Sequence, residues 1–251
     1  MSSATIVTLR HGETYYSRFW ATRPEPFLWK SVRATAYSSG PKAAKLKAAI
    51  FDLLRLHRAF YPVSDKYTGM TPDGKSDVNE LLDAVKSAGI LPDEIISSDY
   101  RRAKQTARLA AALSPKRIDV RIEPAFRERS YGNLYGWSSK YYPMLYPRFN
   151  FRDIESDISL VPPGGESIRD VFGRVGGPFA SLVQACPGST VFVAAHTKVM
   201  ICMHGILTCI SLDEANSQLK RMHKASAFMY IRQPDGKWTP DYSFSRMRRP
   251  G

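Results

Sequence analysis

Two patterns of apolar spacing divide this chain. Short β-branched runs predict strands, and longer stretches with apolar residues three or four apart predict helices. Residues 4–9 (ATIVTL) form the first such run, which passes directly into Arg10-His11-Gly12-Glu13-Thr14. Residues 94–97 (EIIS) and 119–122 are two more, and 190–195 (TVFVAA) is the most apolar of all. Helices are expected at about 76–88, 101–113, from Glu166-Ser167 onward, and 198–210. Thr71-Pro72-Asp73-Gly74 reads as a turn ahead of the first of these. Residues 41–60 read as an amphipathic helix, with Leu46, Ile50, Leu53, Leu54 and His57 on one face and prolines at both boundaries. The stretch 130–165 is rich in aromatics, proline and glycine and reads as loop. Residues 227–231 and 238–244 read as a closing hairpin around Asp235-Gly236.

Strands that alternate with helices imply an α/β fold, a single three-layer domain with a mostly parallel central sheet flanked by helices. No repeat, low-complexity tract or break in composition asks for a second domain. The expected organisation is one domain over 1–251, carrying a basic, partly helical insertion at about 18–67. With 43% hydrophobic and 24% charged residues, the chain can bury a core, which excludes a disordered or disulfide-stapled design. No run approaches the ~18 unbroken apolar residues of a membrane span. Residues 1–9 lack the basic and long apolar regions of a signal peptide. Cys186, Cys202 and Cys209 have no metal-ligand spacing, so free thiols and a cytoplasmic setting are expected.

Charge changes this picture. The chain carries 36 Lys and Arg against 23 Asp and Glu, a net of +13. Residues 30–66 hold eight basic and two acidic side chains, and 220–251 repeat that count, so twelve of the thirteen excess charges sit in two segments. Such a local positive field suits an anionic small substrate, an acidic membrane surface or nucleic acid. The basic segments carry neither the aromatic pattern nor the zinc spacing of a nucleic-acid reader, so no nucleic-acid partner is expected.

The chemistry lies at strand ends. His11 follows the first strand and His196 the most apolar one, and in a parallel sheet both emerge at the edge where α/β sites form. Arg10 flanks His11, while Arg101 and Arg102 follow the 94–97 strand. Imidazoles and guanidinium groups at one edge make a pocket for a tetrahedral oxyanion. A neutral imidazole can attack phosphorus and split one hard displacement into two easier ones. His57, His204 and His223 read as helix-face residues.

At these residues the chain resembles the histidine phosphatase superfamily, which includes cofactor-dependent phosphoglycerate mutases and related phosphatases. Leu9-Arg10-His11-Gly12-Glu13-Thr14 is similar to that family's opening signature. Further similar segments follow in order: Ser97-Ser98-Asp99-Tyr100-Arg101-Arg102-Ala103-Lys104-Gln105-Thr106-Ala107, then 128–132, Pro163-Gly164-Gly165-Glu166-Ser167, and Ala194-Ala195-His196. The resemblance implies that His11 is the phosphorylated nucleophile and that Arg10, Arg102 and His196 hold the phosphoryl oxygens. It implies Glu128 as general acid, with a pKa raised by desolvation or anionic neighbours. Ser17 stands where the family often has a phosphate-binding asparagine. Thr197 and Lys198 stand after the second histidine, where a glycine and a small residue are common. Ser17 and Thr197 are taken as phosphate-binding and Arg129 and Tyr131 as substrate-binding, while Lys198 adds phosphate affinity or points to solvent. No cofactor or metal is implied, since arginines supply the positive charge.

Three functions follow as expectations. The favoured one is a phosphomonoester hydrolase acting on a small phosphorylated metabolite through a phosphohistidine. The second is phosphoglycerate mutase-type transfer, since Glu128-Arg129-x-Tyr131-Gly132 resembles the mutase motif. Against it, Ser139 stands where the mutase lysine belongs and Lys140 comes one position late. The third is a non-catalytic polyanion binder on the same fold. A homodimer through the exposed face of the 41–60 helix is the assembly considered.

Overall fold

The computed structural model describes residues 4–22, 65–135 and 149–245. The 41–60 helix, Ser139, Lys140 and the basic C-terminus after 245 lie outside the described residues, as does most of the segment read as an insertion.

Six strands form one sheet in the order β3-β2-β4-β1-β5-β6. They are β1 (Thr5–Arg10), β2 (Glu94–Ser97), β3 (Val120–Ile122), β4 (Thr190–Ala195), β5 (Ala227–Arg232) and β6 (Trp238–Asp241). The first four run parallel, and β5 and β6 close the sheet antiparallel. The helices are α1 (Tyr15–Thr22), α2 (Pro72–Ser87), α3 (Arg101–Ala111), α4 (Phe151–Ser156), α5 (Ile168–Ala185), α6 (Thr197–Thr208) and α7 (Leu212–Leu219). Single turns of 3-10 helix occur at Asp65–Tyr67, Pro124–Phe126 and Gly132–Leu134.

Both sheet faces are covered, which is why the strand sequences read as unbroken apolar runs rather than alternating ones. Ile6, Val191, Val193 and Ala195 join Val171, Val175, Phe179, Met200 and Leu219 on one face. Val7, Leu9, Phe192 and Ala194 join Val78, Leu82 and Ala107 on the other. Each buried Val, Ile, Leu, Met or Phe side chain contributes roughly 1.5–3 kcal/mol by leaving water.

The parallel α/β domain agrees with the sequence, and several local expectations are corrected. Thr71-Pro72-Asp73-Gly74 is the start of α2 rather than a turn before it. Thr71 Oγ1 accepts the N–H of Gly74 at 3.0 Å, and Pro72 occupies the first helical position, where its missing N–H costs nothing. The 130–165 stretch contains α4, capped by Asn150, as well as the Gly132–Leu134 turn. α7, unread in the sequence, starts at Ser211, whose side chain caps the N–H of Glu214. α5 begins just after Ser167, which forms a reciprocal capping box with Asp170.

Candidate active site

Register brings the two site histidines together. β1 and β4 are neighbours paired from Thr5↔Thr190 through Arg10↔Ala195, so the next residues, His11 and His196, leave the sheet side by side. Their ring centroids lie 5.4 Å apart, edge on at 64°. β2 pairs Ser97 with Ala194, which puts Ser98 next to His196. The Ser98 hydroxyl lies 3.0 Å from His196 Nε2, and Tyr100 stands edge-on to the same ring at 5.2 Å.

The tautomer of His11 follows from its partners. Nδ1 lies 2.8 Å from the carbonyl oxygen of Gly12, which can only accept, so Nδ1 carries the proton. Nε2 accepts the Nε–H of Arg102 at 3.1 Å, so the in-plane lone pair of a neutral imidazole faces the arginine. Burial, then the charges of Arg102 and Arg10, hold the pKa of His11 well below 6.5, outweighing the Gly12 bond that raises it. His196 is depressed in the same direction by burial, Arg102 and His11. Its Nδ1 is buried with no hydrogen-bond partner among the described residues. A buried polar atom without a partner is costly, and a phosphoryl oxygen would satisfy it.

Arg102 is 5% exposed and lies over the Tyr100 ring at 4.9 Å. Besides its bond to His11, its terminal nitrogens hold both carboxylate oxygens of Asp65, at 2.7 and 3.0 Å, and Nη1 also reaches the Asp65 carbonyl at 2.9 Å. Arg10 donates to the Met222 carbonyl, and its charge reaches both histidines.

Glu128 faces this group from the loop after the Pro124–Phe126 turn. One oxygen, Oε1, accepts the main-chain N–H of Arg129 at 2.9 Å and that of Lys198, in the first turn of α6, at 3.3 Å. Burial raises its pKa above the ordinary 4.5, against the opposing pull of the Arg129 N–H, Arg102, Arg10 and Lys198.

The remaining predicted residues fall into place differently. Ser17 bonds with Thr14 and accepts the Lys224 ammonium at 2.8 Å. Thr197 opens α6 directly after His196. Arg129 is 1% exposed, and its three nitrogens donate to the carbonyls of Glu166, Ile154 and Leu160 at 2.6, 2.6 and 2.7 Å. Those bonds tie the 151–166 segment to the site loop. The Tyr131 hydroxyl donates to Glu155 at 2.6 Å. Lys198 does not point to solvent: its side chain is buried and its ammonium pairs with Glu155 at 2.8 Å.

Four participants carried no role in the sequence reading. Ser98 and Tyr100 sat inside a recognised motif. Lys224, whose charge further lowers the pKa of His11, belongs to the basic segment near the C-terminus. Asp65 is one of only two acidic residues in the basic stretch 30–66, and that isolation was its one signal. Among the described residues no group of three His, Cys, Asp or Glu could hold a metal ion.

Comparison with known proteins fits this geometry. The family model of the histidine phosphatase superfamily (branch 1) matches residues 63–239. The chain belongs to that superfamily. A 2,3-bisphosphoglycerate-dependent phosphoglycerate mutase of Chelativorans sp. is 27% identical over 170 residues, 64% of this chain and 82% of the relative. The corresponding mutase of Bartonella henselae is 25% identical over 156 residues, 61% and 76% of the two chains. Among solved structures, a mycobacterial glucosyl-3-phosphoglycerate phosphatase superposes with TM-score 0.66 at 20% identity, covering 96% of this chain and 98% of that one. Bacillus stearothermophilus YhfR gives 0.68 at 17%, covering 97% and 98%. At these identities the likeness to the solved structures is one of fold. No described helix is long and apolar enough to cross a membrane.

Proposed function

We propose that this histidine phosphatase hydrolyses small phosphomonoesters through a phosphohistidine at His11. The observation that carries the hydrolytic reading is the commitment of Arg129 and Tyr131. The mutase-type role requires these two to contact substrate, yet Arg129 is bound to three carbonyls and Tyr131 to Glu155.

The Nε2 lone pair of His11 attacks phosphorus and the ester P–O bond breaks in line. Glu128 donates a proton to the leaving oxygen. Both main-chain N–H groups sit on its Oε1, which leaves Oε2 to carry that proton. General acid catalysis of this kind contributes about 10²–10⁴-fold. Arg102 and Arg10 balance the charge on the equatorial oxygens. With the Ser98 hydroxyl donating to Nε2, His196 presents an Nδ1–H to the same group. In the second step the Glu128 carboxylate takes a proton from water, the water oxygen attacks phosphorus, and the P–N bond breaks. Inorganic phosphate leaves and His11 returns neutral. Arginines supply the positive charge that a metal would otherwise bring.

The test is release of phosphate from p-nitrophenyl phosphate with a chelator present. Release abolished by His11→Ala supports the proposal. Release that survives the substitution, or that requires added metal, contradicts it. Conversion of 3-phosphoglycerate to its 2-isomer in preference to its hydrolysis would favour the mutase reading instead.

A further inference from the structure

We infer that Asp65 is a built-in competitor of the substrate's phosphoryl group, an autoinhibitory carboxylate held on the arginine fork the substrate must use. This rests on the phosphoryl-transfer reading of the site and adds a regulatory contact to it.

Four of the five N–H groups of Arg102 are committed within the free protein. One goes to His11 Nε2, two go to the Asp65 carboxylate, and one goes to the Asp65 carbonyl. A carboxylate and a phosphoryl group present the same target to guanidinium, two anionic oxygens at the spacing of the fork. The pair is also sheltered, since the Arg102 side chain is 6% exposed and that of Asp65 24%. The Tyr100 ring beneath the guanidinium restricts how Arg102 can turn to offer another edge. A phosphoryl group entering at His11 Nε2 therefore meets an arginine whose fork is full, and Asp65 must yield.

The neighbouring contact explains how it can yield without leaving. Lys66 pairs with Asp99 at 2.9 Å, and Asp99 is held in turn by two nitrogens of Arg127 at 2.8 and 2.6 Å. The Asp65–Tyr67 turn is thus fastened to the N-terminal end of α3 by two ion pairs of opposite sense, Asp65 to Arg102 and Lys66 to Asp99. Release of the first leaves the second as a tether.

The alternative is that Asp65 only aligns Arg102 for catalysis. Direct binding of orthovanadate and of inorganic phosphate to wild type, Asp65→Asn and Asp65→Glu separates the two. A competing carboxylate predicts that Asp65→Asn binds both anions about tenfold more tightly and lowers KM for p-nitrophenyl phosphate, whereas Asp65→Glu stays close to wild type. Unchanged or weaker anion binding by Asp65→Asn, or a fall in kcat with KM unmoved, overturns the inference. Hydrogen exchange of wild type gives a second reading that needs no variant. Exchange over 65–67 should rise when phosphate binds, and a fall or no change is the contrary result. Binding of neither anion by any of the proteins would instead remove the phosphoryl site itself.

Discussion

A β-carbon placed on Gly12 would lie 1.9 Å from the carbonyl oxygen of Gly74, and one on Gly74 would lie 2.2 Å from that of Glu13. The loop that follows β1 therefore touches the first turn of α2 backbone to backbone. The same Gly12 carbonyl fixes the His11 tautomer. Gly12→Ala must push these elements apart, at about 1–3 kcal/mol of stability, and should lower kcat/KM for an aryl phosphate by about 100-fold as the His11 anchor shifts. Thermal melts together with steady-state kinetics check both outcomes. A stable, fully active variant would contradict the contact.

Arg129 should behave as a staple. Arg129→Ala strands one buried carbonyl, that of Ile154, and two part-buried ones, and a buried acceptor left unsatisfied costs about 1–3 kcal/mol, so a loss of at least that size in a denaturant titration is expected. Arg129→Lys should recover little, because an ammonium cannot reach three carbonyls in the geometry of the fork. A variant of wild-type stability with a raised KM would return Arg129 to the substrate.

The pH profile should depend on the leaving group. His11 must be neutral to attack, and its pKa is held well below 6.5, so activity falls on the acid side only below that depressed value. Glu128 must be protonated to serve an alkyl leaving group, and its pKa is raised above 4.5, so kcat for an alkyl phosphate falls as pH rises through that value. A p-nitrophenolate leaving group scarcely needs a proton, so its profile should lack the alkaline limb in the first step. Glu128→Gln should likewise slow the alkyl ester far more than the aryl ester in single-turnover assays. Equal slowing would take the acid role from Glu128.

How far the sequence revealed this site depended on the range of each interaction. Ends of parallel strands are legible because apolar runs stop where the sheet edge meets solvent, which located His11 and His196. Their approach needs the β1–β4 register, and adjacent parallel strands make that register nearly automatic. The N-terminus of α2 was misread because Thr-Pro-Asp-Gly is both turn chemistry and cap chemistry, and only the following backbone decides. Arg129 is given to the substrate by the family resemblance, and Lys198 is left between phosphate and solvent. Their burial follows from Glu155 and from carbonyls of the 151–166 segment, partners that no local pattern ties to them. The role of Asp65 is long-range in the same way, since its partner lies 37 positions away.

Asp99 should leave a mark on acid stability. Hydrogen bonds from Arg127, and then Lys66, lower its pKa from 3.8 to about 2 against the opposing effect of burial. The carboxylate therefore stabilises the fold above the unfolded value of 3.8, and that contribution is lost as pH falls towards about 2. Because Arg127 is largely open to solvent, the pair contributes about 1 kcal/mol. Asp99→Asn should cost that amount at pH 7 and progressively less as pH falls through about 2. A deficit of equal size at both pH values would contradict the ion pair.

The most direct test of the central claim is chemical trapping. Enzyme mixed rapidly with an aryl phosphate and quenched in alkali should carry one phosphoryl group on His11, stable to base, lost in acid and seen by peptide mass spectrometry. Phosphate release that proceeds with no labelled histidine, or with the label on a different residue, would contradict the account.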